Sequence, residues 1–206
     1  MERRIGIMGG TFDPIHMGHL ITAEMVRCAV PLDEVLFIPS ARPPHKDGTR
    51  AASPEDRLAM TKRAVQENPH FSVSDIELKR DGLSYTVDTI AELQSRSHGA
   101  TLFFITGADA MNDLYLWHEP KRLLRSCQFI VATRQGVPLD ELLLAEKFTA
   151  EERSHIQVLP TPHLEIASST IRARIREGLS IRYLVPRTVE EYIEKRGLYR
   201  EHDKEL

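Results

Sequence analysis

The twelve residues GGTFDPIHMGHL, at positions 9–20, constrain the fold most, because a strand pattern ends and a helix pattern begins around them. A short apolar run at residues 5–8 precedes them and predicts a strand. Apolar residues at helical spacing follow, namely Met17, Leu20, Ile21, Met25 and Cys28. The stretch therefore predicts a strand-to-helix turn. Gly9 and Gly10 lack a Cβ, which lets backbone N–H groups approach a ligand closely.

The first turn of this predicted helix is suited to binding phosphate. Its N–H groups have no partner within the helix, and its dipole favours negative charge. Asp13-Pro14 marks a turn or helix entry, and His16 and His19 are three residues apart, hence neighbours on one face. Gly18 keeps the surface between them low. Two imidazoles placed in this way can support phosphoryl or nucleotidyl transfer without a covalent nucleophile. A capping histidine with a surface histidine, or a pair of metal ligands, would show the same spacing.

A Pro- and Gly-rich loop follows the second predicted strand. Residues 34–39 (EVLFIP) predict a buried strand, and residues 40–53 cannot form regular structure. A long loop in a compact domain is usually functional or disordered. His45 and Lys46 follow two prolines that stiffen the backbone. A cation held there is useful over an anionic substrate, and the alternative is a pair of solvated loop residues.

The middle of the chain alternates predicted helices and strands. Ser53 is expected to cap a helix that has Pro54 in its first position. Residues 71–78 alternate as in a strand. Ser84 or Thr86 is expected to cap the next helix.

Residues 100–106 (ATLFFIT) form the most continuous apolar run and predict a central strand buried on both faces. The run ends at Gly107, and Asp109 follows closely. Open parallel sheets bind ligands at the carboxyl ends of strands, especially where the winding reverses. If this strand neighbours the first one, residues 9–19 and 107–117 face each other across a crevice. Asp109 is expected to face that crevice.

Later segments add further candidates. Trp117 is the only tryptophan, and its polar neighbours favour stacking on a ligand ring over packing in the core. Residues 129–133 predict a buried strand ending at Arg134, a candidate phosphate or carboxylate contact. Residues 138–155 are expected to be a peripheral helical segment, and residues 156–159 a last short strand.

The segment IASSTIRARI, residues 166–175, predicts another helix start. Ser168 or Ser169 is the expected cap, and Arg172 lies one turn in, where it can reach polyphosphate oxygens. In the closing LVPRTVEEYIEKRGLY, Pro186 marks a helix start and Gly197 its end.

Together these elements predict a single α/β domain over residues 1–206, with a doubly wound, mostly parallel Rossmann-like sheet and a small C-terminal helical segment over about 166–206. The net charge of −3 gives no general attraction to nucleic acid or to an anionic membrane. No signal sequence or long apolar span is visible, so we expect a cytoplasmic protein. Cys28 and Cys127 lie in apolar contexts and are expected to be reduced core residues.

Several common motifs are missing from the sequence. It has neither Gly-x-Gly-x-x-Gly nor the P-loop pattern, which excludes the ordinary dinucleotide and Walker sites. Its cysteines and histidines lack zinc-ligand spacing, so no dedicated metal site is predicted.

The residues GTFDPIHMGHL resemble the signature of the nucleotidyltransferases whose His-x-Gly-His turn holds ATP. From Arg4 to Tyr199, the remaining motifs are similar to those of bacterial nicotinate mononucleotide adenylyltransferases. The resemblance implies transfer of AMP from ATP to the 5′-phosphate of nicotinate mononucleotide, giving nicotinate adenine dinucleotide and pyrophosphate. The acceptor phosphate is already a nucleophile, so the protein would act by alignment and charge stabilisation, and Mg²⁺ would arrive with the ATP phosphates.

Residue patterns and resemblance together nominate the site. The candidate catalytic residues are His16, His19 and Arg172. Further candidates for ATP binding are Gly9, Gly10, Thr11, Phe12, Gly18 and Ser168. Candidates for substrate binding are Asp13, His45, Lys46, Thr86, Gly107, Asp109, Trp117 and Arg134. The resemblance implies that Thr86 lies near the pyridine ring, that Trp117 stacks on it, and that the loop at 40–53 closes over the substrates. The segment at residues 166–175 resembles the second signature of the family, Ile-Ser-Ser-Thr-x-Ile-Arg. It departs from this signature at Ala167 and Ser169, which stand where the family has serine and threonine.

Other functions share parts of this pattern. Pantetheine-phosphate and nicotinamide-mononucleotide adenylyltransferases have the first signature, and Trp117, Thr86 and the C-terminal pattern argue against the former. A nucleotide-binding regulator without catalysis is disfavoured by the intact His16, His19 and Arg172. The expected partners are ATP and nicotinate mononucleotide, without nucleic acid or membrane, and a homo-oligomer is left open.

Overall fold

The computed structural model describes residues 2–41, 52–97, 99–133, 138–162 and 164–200. Its strands are β1 (Arg4–Gly10), β2 (Glu34–Pro39), β3 (Phe71–Val73), β4 (Thr101–Gly107), β5 (Gln128–Thr133) and β6 (Ile156–Pro160). The helices of the first half are α1 (Met17–Ala29), α2 (Pro54–Val65), α3 (Thr86–Arg96) and α4 (Ala108–Asn112). A short 3₁₀ turn at Leu114–Leu116 precedes α5 (Pro120–Ser126), α6 (Glu141–Lys147), α7 (Ala150–Arg153), α8 (Ser168–Arg176) and α9 (Arg187–Arg196).

The strands form one six-stranded sheet in the order β3-β2-β1-β4-β5-β6. Every neighbouring pair is parallel, and β1 pairs with both β2 and β4. The strand order therefore reverses direction between β1 and β4, which is where a doubly wound sheet opens its crevice. This confirms the predicted Rossmann-like fold and the predicted adjacency of the first strand and the central strand.

Side chains alternate between two cores, one on each face of the sheet. On β4, Phe103 and Ile105 pack in one core, and Leu102 and Phe104 pack in the other. Because both faces of β4 are covered, its sequence is continuously apolar, as the sequence pattern predicted. The C-terminal helices complete the first core through Ile171 on α8 and through residues of α9.

Local capping chemistry fixes several helix ends. Ser53 caps α2 by accepting a hydrogen bond from the Asp56 N–H at 3.0 Å, and Pro54 is the first helical residue, both as predicted. Gly197 ends α9 with a left-handed φ of 61°, also as predicted. None of the helices in the described ranges is long and apolar enough to cross a membrane.

The predicted strand at 71–78 is too long, because β3 ends at Val73. The hydroxyl of Ser74 accepts a hydrogen bond from the Ile76 N–H at 3.3 Å, and the Lys79 N–H donates to the Asp75 carbonyl at 3.2 Å. These local bonds turn the chain, so the alternation beyond Val73 does not correspond to an extended segment.

Two predicted serine and threonine caps are also wrong. Tyr85 occupies the N-cap of α3 without a side-chain bond, and Thr86 is already the first helical residue. Ala167 occupies the N-cap of α8. The Ser168 hydroxyl instead donates to the carbonyl of Pro14 at 2.9 Å, because a tertiary contact competes with local capping.

The helix α1 buries a different face from the one that its sequence pattern predicted. Ala23 and Val26 are buried, whereas Met25 and Cys28 are exposed. Both cysteines have free thiols, and Cys127 is buried whereas Cys28 is exposed. The prediction that both are core residues is therefore confirmed for Cys127 and wrong for Cys28.

Candidate active site

The β1–α1 turn carries both histidines at the start of α1. His16 is the N-cap residue in extended conformation, and Met17 begins the helix. The turn lies at the carboxyl end of β1, next to the carboxyl end of β4. The histidines therefore stand at the reversal point of the sheet, with the positive end of the α1 dipole behind them.

The two imidazoles are in direct contact. Their ring centroids are 3.7 Å apart, with the planes 27° from parallel. The backbone N–H of His16 donates to Nδ1 of His19 at 3.2 Å. In the neutral imidazole only one nitrogen carries hydrogen, so this bond assigns the proton of His19 to Nε2. His19 can thus offer a defined N–H donor.

Two glycines of the signature make room for aromatic rings. A Cβ on Gly18 would stand 3.0 Å from Nδ1 of His16, and a Cβ on Gly10 would stand 3.0 Å from the Phe12 ring. Phe12 is buried and meets His19 edge to face at 5.1 Å between centroids. Gly9 is exposed, and a Cβ there would make only ordinary contact with Phe104. Gly10 and Gly18 therefore serve the packing of the turn, while Gly9 leaves backbone open to solvent.

The Asp13 side chain is buried in the turn, where it contacts several distant segments of the chain. It is 5% exposed. Its Oδ1 accepts hydrogen bonds from the Tyr199 hydroxyl at 2.7 Å and from the Ala52 N–H at 3.0 Å. Arg172 Nη1 donates to the Asp13 carbonyl at 2.6 Å and lies 3.6 Å from Oδ2. Asp13, predicted from the sequence to bind substrate, thus has partners from three distant parts of the protein.

A second guanidinium supports the same turn. Arg57 on α2 is buried, and its Nη1 donates to the carbonyl of Thr11 at 2.7 Å, while Nη2 donates to that of Ala41 at 3.2 Å. Burial lowers the pKa of Arg57 from its usual value, and the charge of Asp13 opposes this shift. The turn therefore holds two guanidinium groups against one buried carboxylate, which favours an anionic ligand.

The second signature docks directly on the first. Ser168 holds the Pro14 carbonyl and Arg172 holds the Asp13 carbonyl, while Ile171 between them is fully buried. These contacts bring the three candidate catalytic residues, His16, His19 and Arg172, to one turn. Ala167, the departure from the family pattern, is an exposed N-cap residue without a side-chain bond.

The opposite side of the crevice follows β4. Asp109 on α4 is exposed, and one of its carboxylate oxygens occupies the space that a Cβ on Gly107 would need. Trp117 is half-buried and meets Phe104 edge to face at 6.0 Å between centroids. Thr86 is half-buried at the first position of α3. Asp109 lies two residues after the end of β4, Trp117 follows the 3₁₀ turn, and Thr86 begins α3.

Sequence reasoning missed three features of the site. Arg57 and Tyr199 gave no local signal, because their partners lie 46 and 186 residues away along the chain. Tyr85 stacks on His118, with centroids 4.2 Å apart and planes at 28°. In the sequence, Tyr85 directly precedes Thr86 and His118 directly follows Trp117, and this adjacency to two candidate residues could have indicated the pair.

Three nominated residues, His45, Lys46 and Arg134, lie outside the described residues. Among the described residues, no group of three or more His, Cys, Asp or Glu side chains could hold a metal ion.

Comparisons with known proteins find relatives that match nearly the whole chain. The family model described as cytidylyltransferase-like matches residues 7–174. A "Probable nicotinate-nucleotide adenylyltransferase" of Desulfitobacterium hafniense (strain Y51) is 50% identical over 199 residues, covering 96% of each chain. A protein of the same description from Thermus thermophilus is 47% identical over 197 residues, covering 96% of this chain and 100% of that one.

A solved structure shares the fold at lower identity. The Plasmodium falciparum nicotinic acid mononucleotide adenylyltransferase complexed with NaAD superposes with a TM-score of 0.79 at 22% identity, covering 96% of this chain and 97% of that one. The chain therefore belongs to the cytidylyltransferase-like family, and to the same family as these nicotinate-nucleotide adenylyltransferases.

Proposed function

We propose that this protein transfers the AMP moiety of ATP to the 5′-phosphate of nicotinate mononucleotide, giving nicotinate adenine dinucleotide and pyrophosphate in NAD biosynthesis. The observation that carries the proposal is the stacked pair of His16 and His19 beside Arg172 at the reversal point of the sheet. The 50% identity over nearly the whole chain to a probable nicotinate-nucleotide adenylyltransferase supports the choice of substrates.

The reaction requires positioning more than acid–base chemistry. An oxygen of the acceptor phosphate attacks the α-phosphorus of ATP, and the bond from that phosphorus to the bridging oxygen breaks. Pyrophosphate leaves with the electron pair of that bond. The acceptor phosphate is ionised at neutral pH and needs no general base, so alignment and stabilisation of the leaving group account for the protein's role.

The β1–α1 turn is the proposed ATP side. His16, His19 and Arg172 would donate to polyphosphate oxygens where negative charge grows on the leaving pyrophosphate. The turn residues Gly9, Gly10, Thr11, Phe12 and Gly18, with Ser168 on α8, would line the nucleotide. Mg²⁺ bound to ATP would screen the phosphate charge while keeping most of its water ligands.

The ends of β4 and α3 are the proposed acceptor side. Asp109 would bind a ribose hydroxyl or orient the pocket beside Gly107. Trp117 would stack on the pyridine ring near Thr86. His45, Lys46 and Arg134 are proposed to contact anionic groups of the substrates. Asp13 would contribute through the turn, because its carboxylate already has protein partners.

A substrate comparison tests the proposal. The purified protein is given Mg-ATP with nicotinate mononucleotide, nicotinamide mononucleotide or phosphopantetheine, and pyrophosphate release and the dinucleotide product are measured. We expect the highest kcat/KM with nicotinate mononucleotide. A higher value with another acceptor would reassign the substrate, and ATP binding without pyrophosphate release would indicate a regulator. A cytoplasmic location stays a proposal from the sequence.

A further inference from the structure

The Asp13 carboxylate connects the C-terminal end of the described chain to the histidine turn. Tyr199 lies just beyond α9, two residues after Gly197, and it has a left-handed φ of 65°. Its ring packs against the first core, and its hydroxyl donates to Asp13 Oδ1 at 2.7 Å. Asp13 is 186 residues away in sequence. The contact is therefore a specific tertiary one between the first signature and the C-terminal end of the described chain.

The Tyr199 hydroxyl acts as a permanent donor in this position. Burial raises the pKa of Tyr199 far above its usual range, and the adjacent Asp13 charge raises it further. The phenol therefore stays protonated at any working pH. Its hydrogen bond to a charged acceptor belongs to the stronger class of hydrogen bonds.

Arg172 is the second group that this carboxylate attracts. Its Nη1 is bonded to the Asp13 carbonyl at 2.6 Å but stands 3.6 Å from Oδ2, beyond hydrogen-bond distance. Asp13 Oδ1 is satisfied by Tyr199 and Ala52 instead. Without the Tyr199 donor, the buried carboxylate would keep the Ala52 N–H but lose one of its hydrogen bonds, and it would draw Arg172 closer in compensation. A guanidinium held more tightly by Asp13 is less available to a polyphosphate.

We propose that Tyr199 is a positioning residue for adenylyl transfer. Its hydroxyl satisfies the Asp13 carboxylate, and this leaves Arg172 oriented toward the polyphosphate while keeping the histidine turn in place. The inference rests on the proposed function and extends it to a residue outside both signatures. It assigns a kinetic role to the C-terminal end of the chain, which otherwise looks like packing alone.

The protein offers a matched control on α9. The Tyr192 hydroxyl donates to Asp56 Oδ1 at 2.8 Å, and Asp56 is 7% exposed, close to the 5% of Asp13. Asp56 lies in the first turn of α2, where its carboxylate accepts a hydrogen bond from the Ser53 hydroxyl at 3.1 Å and forms an ion pair with Arg196. Tyr192→Phe and Tyr199→Phe thus each remove one hydroxyl donor from a buried carboxylate, but only one of these carboxylates contacts Arg172.

The experiment compares these two variants with the wild type. Steady-state kinetics with Mg-ATP and nicotinate mononucleotide give kcat and KM, calorimetric titration gives the Kd for ATP without acceptor, and thermal unfolding gives Tm. We expect similar losses of Tm in both variants. Displacing a catalytic group by about 1 Å can cost ~10²-fold in rate. We therefore expect kcat to fall about tenfold or more in Tyr199→Phe, with weaker ATP binding, and to stay within about twofold in Tyr192→Phe.

Equal kcat and equal ATP Kd in the two variants would overturn the inference and leave Tyr199 a stabilising residue. The wild-type measurement separates this failure from that of the proposed function. If the wild type released no pyrophosphate with nicotinate mononucleotide, the function would be wrong, and the ATP titrations would still decide whether Tyr199 supports polyphosphate binding.

A double-mutant cycle tests the route through Asp13. If Tyr199 acts by satisfying this carboxylate, adding Tyr199→Phe to Asp13→Asn should change kcat much less than Tyr199→Phe does alone, since residues in one network are not additive. Additive losses would show that Tyr199 acts by another route, and would overturn the proposed mechanism of positioning.

Discussion

The imidazole rings of His16 and His19 stack on each other, with centroids 3.7 Å apart and planes 27° from parallel. The backbone N–H of His16 also donates to Nδ1 of His19, so the His19 ring contacts both the ring and the backbone of His16. Two donors coupled in this way can serve one polyphosphate group as a unit, and they should respond to mutation as a unit.

The first prediction concerns this pair. Removal of one preorganised hydrogen-bond donor that faces the charge developing in the transition state typically lowers kcat by about 10²–10³-fold, or roughly 2.7–4 kcal/mol. We expect His19→Ala and His16→Ala each to lower kcat by about that factor, with a smaller effect on ATP affinity. The double variant should lose less than the product of the two factors. Initial rates at saturating substrates provide the measurement.

His70→Ala provides the control, because His70 is exposed and contacts the Asp33 carbonyl outside the turn. If a histidine variant of the turn remained folded with near-normal kcat, that residue would be assigned to packing or capping. The nucleotidyl-transfer role of the pair would then lose its main physical support.

The second prediction concerns Trp117 and acceptor choice. The indole is half-buried, meets Phe104 edge to face and packs against the second core, and we expect its exposed part to stack on the pyridine ring of the acceptor. Such stacking contributes roughly 0.5–1.5 kcal/mol beyond area burial. Trp117→Ala should therefore weaken nicotinate mononucleotide binding about tenfold and barely change the Kd for ATP. Equal weakening of both ligands would contradict stacking, and a preference for nicotinamide mononucleotide in competition would contradict the predicted specificity.

The third prediction concerns the carboxylate of Asp109. The side chain is exposed, so Asp109→Ala should change the free energy of unfolding by no more than about 0.5 kcal/mol. We expect the same variant to raise the KM of a substrate or abolish activity, as measured by pyrophosphate release. Gly107→Ala is an informative companion, because its Cβ would displace the Asp109 carboxylate and should reproduce the kinetic defect. Normal kinetics with a lowered Tm would make Asp109 a structural residue.

The fourth prediction distinguishes the two thiols. Cys28 is exposed, whereas burial raises the pKa of Cys127 to about 12, and the thiolate is the reactive form. At pH 8, an aromatic disulfide reagent should titrate one thiol per folded chain rapidly and both thiols after denaturation. Cys28→Ser should abolish the rapid reaction. Rapid labelling of two thiols in the folded protein would contradict the burial of Cys127.

Much of the fold followed from local patterns. The strand-turn-helix at the first signature and the Ser53 cap depend on residues close together in the chain, so the sequence predicts them directly. The two-sided burial of β4 is indicated by one continuous apolar run. The family likeness rests on the same local motifs. Local bonds also explain the failure at β3, since the short-range turn bonds after Val73 override a weak alternating pattern.

The sequence by itself thus determined the elements, the histidine spacing and the resemblance that points to adenylyl transfer. Only the tertiary structure decided which side chains support the turn: Arg57, Ser168, Arg172 and Tyr199 reach it from distant segments. It likewise decided that Cys28 faces solvent. The physical reason is that these contacts depend on how helices dock across the sheet. The periodicity of a sequence shows that a helix has an apolar face. The surface against which that face packs determines which polar atoms come into contact.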